Sequence, residues 1–333
     1  KSIVDAAKLN GVTAIIASDM SVITYAKQAG VEVHISTQCN ITNIEAVKYF
    51  SQFADVMVTA RELTLKQVAE IVKIIKNKNI TGPSGKLVKI EIFVHGALCM
   101  AVSGKCYLSL DNTNYSANRG ACLQLCRRKY LVKDIEEGTE LEIDNAYIMS
   151  PKDLCTIEFL DKIINAGVSV LKIEGRGRSP EYVKTVTRCY NEAAKAISEG
   201  TYTKEKTDEW MKQLSSVYNR GFWEGYYLGK KIGEWTVKYG SRATKTKLYV
   251  GKISNYFSEL KVAEIKIESH NLSVGEDIII IGPTTGVIEM NVAEIRVALA
   301  KTETASKGDD CSVPVISLVR RNDKVYKLIE TEE

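Results

Sequence analysis

The sequence predicts an α/β protein: a (β/α)8, TIM-like barrel that lacks its N-terminal units in this chain, followed by a small C-terminal antiparallel β-barrel. Apolar, β-branched runs alternate with amphipathic stretches as far as about residue 200, the pattern of a parallel sheet. Only five such runs occur, where a barrel needs eight. From Thr246 onward the pattern changes to short alternating segments separated by turn residues, which is how a small β-barrel reads.

The chain opens on KSIVDAAKLNG, read as a helix ending in glycine, and it begins with Lys1 rather than Met. A missing N-terminal piece of three βα units is therefore expected, and an open doubly wound sheet is the alternative. The predicted strands are GVTAIIAS (11–18), VEVHISTQ (31–38), ADVMVTA (54–60), VKIEIFVHG (88–96) and VSVLKIEG (168–175). Helices are predicted between and after them, at 22–28, 43–50, 64–76, 151–166 and 180–199. Ser150-Pro151 and Ser179-Pro180 read as N-cap and first-turn pairs. KLYVGKIS, LKVAEIKI, EDIIIIG, GVIEMNVAEIRV, CSVPVI and KVYKLIE supply the later strands. The expected domains are 1–235, with a cysteine-bearing insertion at about 97–150, and 245–333.

The length of 333 residues suits one large α/β domain and a smaller one. Hydrophobic residues make up 45% and charged residues 26%, which excludes a largely disordered chain. No run of about 18 apolar residues and no secretory signal pattern is present, so a cytoplasmic protein without a membrane span is expected. A net charge of +4, from 45 basic and 41 acidic residues, neither requires nor excludes a polyanionic partner.

Four of the eight cysteines, Cys99, Cys106, Cys122 and Cys126, crowd into the segment after the fourth predicted strand. In a barrel this loop lies on the catalytic face. The spacing Cys-x6-Cys-x15-Cys-x3-Cys matches neither zinc-ribbon knuckles nor the bacterial ferredoxin run. Four thiolates nevertheless suit a [4Fe–4S] cluster or, alternatively, tetrahedral zinc, and four separate buried cysteines are the bland reading. Cys39, Cys155, Cys189 and Cys311 read as small apolar core residues. No His-Glu-x-x-His helix and no Gly-x-Ser-x-Gly elbow occurs.

The stretch from Glu91 to Ser109, E-x-F-x-x-G-A-L-C-M-x-x-S-G-x-C-x-L-S, resembles the signature of the peptidase U32 family. HISTQCNITN (34–43), NRGACLQLCRRKY (118–130), SPKDLC (150–155), KIEGRGRSPEYV (172–183) and YNRGFWEGYYLG (218–229) are similar to that family as well. The resemblance implies oxygen-independent hydroxylation with a [4Fe–4S] cluster held by Cys99, Cys106, Cys122 and Cys126. It further implies an RNA partner, most like tRNA whose wobble uridine becomes 5-hydroxyuridine, and prephenate as the oxygen source. Related substrates in the family are a cytidine of 23S ribosomal RNA and a ubiquinone precursor. The family name itself implies a collagenase-like peptidase, and a non-catalytic iron–sulfur scaffold is the third reading.

Glu174 and His95 are the candidate catalytic residues, because both fall near the C-terminal ends of predicted strands. Arg176, Arg178 and Arg127 are candidate substrate-binding residues, since guanidinium forks suit a carboxylate or a phosphate, and His34 joins them because it lies toward the C-terminal end of a predicted strand. Arg119, Arg128 and Lys129 extend that basic set, with a solvated basic rim as the alternative. Tyr107, Tyr115 and Tyr130 are candidates for stacking on a base or for packing, and Glu91 is ambiguous.

Overall fold

A computed structural model of the chain describes residues 1–130, 149–231, 233–237 and 240–331. The chain divides into two compact units. The first comprises Lys1–Arg176, Cys189–Met211 and Asn219–Arg242, and the second Gly177–Arg188, Lys212–Tyr218 and Ala243–Glu333. Part of the predicted insertion, 131–148, lies outside the described residues.

The first unit is built on strands β1 (Ala14–Ala17), β2 (Glu32–Ile35), β3 (Val56–Val58), β4 (Lys89–Ala97), β5 (Asp153–Cys155), β6 (Val170–Ile173) and β7 (Phe222–Trp223). β1 to β4 pair in chain order and in parallel, and β6 pairs in parallel with β4. The sheet does not close on itself among the described residues. Helices α1 (Ser2–Leu9), α2 (Met20–Ala29), α3 (Ile44–Ser51) and α4 (Leu65–Asn77) precede or connect the first four strands. α5 (Leu108–Thr113), α6 (Leu160–Asn165), α7 (Pro180–Ser198) and α8 (Lys204–Ser216) follow.

Local chemistry sets these boundaries. Asp19 caps α2 by accepting from the Ser21 and Val22 amides, and Gly30 ends that helix at φ 73°. Thr64 and Gln67 form a reciprocal capping box at the start of α4. Val68, Ile71, Val72 and Ile75 of α4 are buried, and their spacing places them on one stripe. On β2, Val33 and Ile35 are buried, while Glu32 and His34 take the opposite face and are more exposed.

The predicted helix at 151–166 is corrected. Residues 153–155 form β5, which runs antiparallel to the end of β4 with His95 opposite Cys155 and Ala97 opposite Asp153, and the α-helix begins only at Leu160. Pro151 is therefore no first-turn residue. The Asp153 carboxylate is buried and accepts from the Arg220 main-chain N–H at 3.2 Å, a partner far away in sequence. That tertiary bond and the strand pairing outweigh the helical signal of Ser-Pro.

The second unit carries β8 (Lys245–Phe257), β9 (Val262–Ile267), β10 (Leu272–Ser273), β11 (Asp277–Gly282), β12 (Gly286–Asn291), β13 (Ile295–Val297), β14 (Ala300–Thr302), β15 (Thr304–Ala305), β16 (Asp310–Pro314) and β17 (Lys324–Glu330). Eight of them form one antiparallel sheet in the order β12-β11-β17-β8-β9-β16-β13-β14, and β10 pairs with β15. Val250, Ile253, Ile265, Ile278, Ile280 and Val325 are among the buried side chains of its core. Gly251 lies where β8 meets β9, and a Cβ there would stand 1.9 Å from the Lys266 carbonyl oxygen. Backbone cannot yield as a flexible side chain does. Gly251→Ala is expected to destabilise this unit by about 1–3 kcal/mol, the usual cost of overpacking, read as a lowered urea midpoint.

Candidate active site

Three parallel strands bring their C-terminal ends together in the first unit. Arg61 follows β3, Ala97 ends β4, and Glu174 follows β6 with its N–H donating to the His95 carbonyl at 2.8 Å. In open or closed parallel sheets, ligands bind at this end of the strands. Cys99 lies two residues beyond the end of β4.

All eight cysteines are free thiols; Cys99 and Cys122 are exposed, and Cys106 and Cys126 are half-buried. Burial pushes the Cys126 thiol up, the adjacent Arg127 opposes that, and the charges of Cys99, Cys122 and Cys106 each push it further up. All four soft donors lie on this one loop. Among the described residues, no three His, Cys, Asp or Glu side chains stand close enough to hold a single metal ion. The donor set nevertheless fits a thiolate-bound cluster, which takes four cysteines.

Arg127 holds this loop in place. Its Nη2 donates to the Leu98 carbonyl at 2.6 Å and its Nη1 to the Pro151 carbonyl at 2.7 Å, so one guanidinium ties both ends of the insertion. Burial pushes its pKa below the ordinary arginine value, and Arg220 acts in the same direction, against Cys126, Asp153 and Cys99. Tyr130 donates to the Leu125 carbonyl at 2.8 Å, which gives it a role inside the loop. Tyr107 and Tyr115 are exposed.

His95 is buried, with Nδ1 3.4 Å from the Tyr190 hydroxyl and its ring against Tyr190 and Phe222. Tyr190 in turn donates to the Val94 carbonyl at 2.8 Å and accepts from the Thr156 N–H at 2.9 Å. Cys155 lies in the same network, and burial pushes its thiol up to about 12, which keeps it protonated and suits a core residue. His34 is half-buried, 3.2 Å from Glu32. Glu174 accepts from the Arg176 main-chain N–H at 2.7 Å, and Arg176 itself is exposed. Arg178 belongs to the second unit, where its guanidinium lies 4.1 Å from the Tyr218 ring centroid and 5.2 Å from that of Tyr182. Arg176 and Arg178 are thus placed differently, although only one residue separates them.

Sequence reasoning passed over Arg61, Phe93 and Lys172. The Arg61 guanidinium lies 3.9 Å from the Phe93 ring centroid and donates through Nη1 to the Ala97 carbonyl at 3.1 Å. Lys172 pairs with Glu91 at 2.6 Å, which settles Glu91 as an ion-pair partner inside the sheet. The signal for Arg61 was present: a basic residue directly after the buried run ADVMVTA stands at a strand's C-terminal end.

Parallel strands whose ends carry charged side chains and a thiol-rich loop define an α/β protein with a candidate site at one end of the sheet. The chain belongs to peptidase family U32, whose family model matches residues 1–236. It is 57% identical over 333 residues to a protein named collagenase from Porphyromonas gingivalis, covering all of this chain and 80% of that one. It is 31% identical over 280 residues to a tRNA hydroxylation protein of Bacillus subtilis, covering 82% of this chain and 63% of the relative. To a 23S rRNA 5-hydroxycytidine synthase of Escherichia coli it is 39% identical over 190 residues, covering 57% of this chain and 27% of that protein. No described helix is long and apolar enough to cross a membrane.

Removing one partner of a buried ion pair leaves the other charge without compensation. Glu91 is only 6% exposed at its side chain, so Lys172→Met is expected to cost up to about 3 kcal/mol. The double variant Lys172→Met, Glu91→Leu should recover most of that loss in a urea-unfolding cycle.

Proposed function

We propose that this chain is an RNA-modifying enzyme that hydroxylates a nucleobase without molecular oxygen, converting the wobble uridine of tRNA to 5-hydroxyuridine. Cys99, Cys106, Cys122 and Cys126 would hold a [4Fe–4S] cluster, and prephenate would be the oxygen source. The observation that carries this reading is that four free thiols, Cys99, Cys106, Cys122 and Cys126, lie on the one loop that follows the end of β4, in a chain similar to tRNA and rRNA hydroxylation proteins. The parallel strands are read as part of a TIM-like barrel and the second unit as a small β-barrel.

When bound, the cluster supplies an electron-accepting or Lewis-acidic centre at the strand ends. The chain's own residues do the rest. Arg127 fixes the entry to the cysteine loop through the Leu98 carbonyl. Glu174, oriented by the Arg176 N–H, is the candidate proton acceptor.

The competing reading is a peptidase, favoured by the relative named collagenase. The histidines give it little support. His95 is engaged with Tyr190 in the core, His34 with Glu32, and His270 with Ser269 and the Tyr249 carbonyl.

Nucleoside mass spectrometry of tRNA from a deletion strain is expected to show loss of 5-hydroxyuridine, restored by the wild-type gene. An unchanged nucleoside profile together with metal-independent cleavage of denatured collagen would favour the peptidase. In anaerobically purified protein, alanine at Cys99, Cys106, Cys122 or Cys126 should each abolish or sharply lower iron and acid-labile sulfide. Cys155→Ala and Cys189→Ala should leave both unchanged.

A further inference from the structure

β4 gains a residue just before its end. Phe93 stands opposite Lys172 of β6 and His95 opposite Ile173, so two steps of β4 match one step of β6 and Val94 is the extra residue of a β-bulge. Earlier in the strand, the Ile90 carbonyl accepts from the Ser169 N–H at 3.0 Å on the β6 side, while the Glu91 carbonyl accepts from the Thr59 N–H at 3.1 Å on the β3 side. Regular alternation would therefore turn the Val94 carbonyl toward β6 and the His95 carbonyl away from it. The bulge gives the β6 side the His95 carbonyl instead, which accepts from the Glu174 N–H at 2.8 Å directly beyond β6.

A bulged residue leaves the ladder, and Val94 is fully buried, so its carbonyl needs another partner. Tyr190 of α7 supplies it. The hydroxyl donates to the Val94 carbonyl at 2.8 Å and accepts from the Thr156 N–H at 2.9 Å, and Thr156 Oγ1 donates to the same carbonyl at 3.1 Å. Burial raises the Tyr190 pKa well above the ordinary tyrosine value, which keeps the hydroxyl a donor. The side chains follow the backbone: Phe93 lies against Arg61, whereas His95 lies against Tyr190 and Phe222. Glu174 is then held twice, by its own N–H on His95 and by the Arg176 N–H on its carboxylate at 2.7 Å.

We propose that Tyr190 is a positioning residue: by occupying the carbonyl of the bulged Val94 it leaves the His95 carbonyl to Glu174, and so sets where the Glu174 carboxylate stands at the strand ends. Its meaning for the reaction rests on Glu174 as the proton acceptor. The structural coupling does not depend on which substrate is modified.

Amide hydrogen exchange of the full chain, resolved residue by residue by NMR, tests the coupling. In Tyr190→Phe, which keeps the ring, the Thr156 and Glu174 amides should exchange roughly ten- to a hundred-fold faster, the usual effect of losing a buried hydrogen bond. The Thr59 amide, on the other side of β4, should be unchanged. Tyr227→Phe removes the hydroxyl that donates to the Phe93 carbonyl at 2.7 Å, one residue before the bulge, and should not speed the Glu174 amide. An unchanged Glu174 amide in Tyr190→Phe, or equal acceleration at Thr59, would overturn the proposal, as would an equal effect of Tyr227→Phe. If Tyr190→Phe does not fold, wild-type exchange in low urea decides. The Thr156 and Glu174 amides should open together with one urea dependence, and separate openings would overturn the coupling. In the deletion strain, the Tyr190→Phe gene at wild-type protein level should restore clearly less 5-hydroxyuridine than the wild-type gene, and full restoration would overturn the positioning role. A nucleoside profile that deletion leaves unaltered removes the RNA reading, and the exchange result then stands or falls by itself.

Discussion

Where β4 passes into the cysteine loop, the carbonyls of Ala97 and Leu98 are each taken by an arginine, Arg61 on the first and Arg127 on the second. The position of Cys99 depends on that pair of bonds. Backbone carbonyls at a strand end have lost their ladder partners and must find others when water is excluded. Arginine is suited to the task because one planar fork can satisfy carbonyls from separate segments. Arg127 does so by joining Leu98 to Pro151, and the two ends of a long insertion are thereby held together.

Much of this architecture is legible in the sequence because it rests on local chemistry. Asp19, Asn43 and Thr64 each cap a helix directly before an apolar stripe, and the strand runs at 31–38 and 88–96 are dense in β-branched residues. The alternating segments after Thr246 all became strands for the same reason. The Ser-Pro at 150–151 misled, since its helical signal is local while Asp153 answers to Arg220, 67 residues away. The site divides along the same line. The crowding of four cysteines after the fourth predicted strand is read directly from the sequence, whereas the use of Arg127 on main-chain carbonyls and of Arg178 on tyrosine rings is tertiary and has no sequence signature. Arg61 was passed over because it reads as part of the approach to α4, where Thr64 carries the evident signal.

The balance of charge on the second unit also has a physical meaning. Lys247 pairs with Glu181, Lys184 with Glu289, Lys252 with Glu268 and Lys327 with Glu276. These lysines are largely compensated, so the near-even totals of the sequence persist locally on this unit. Its counterion-release contribution to any polyanion binding would come from cations outside these pairs.

The antiparallel pairing of β5 with the end of β4 has a further consequence for how such a chain can change over time. With Ala97 opposite Asp153, the insertion between them leaves and rejoins the sheet at neighbouring points. A segment tethered this way behaves as a closed loop, and doubling its length costs only about 0.6 kcal/mol in closure entropy. Residues can be added, removed or exchanged between the two anchor points without shifting the register of the parallel strands. The cysteine segment is in this sense a cassette, and evolution could retune what it holds while the scaffold beneath stays as it is.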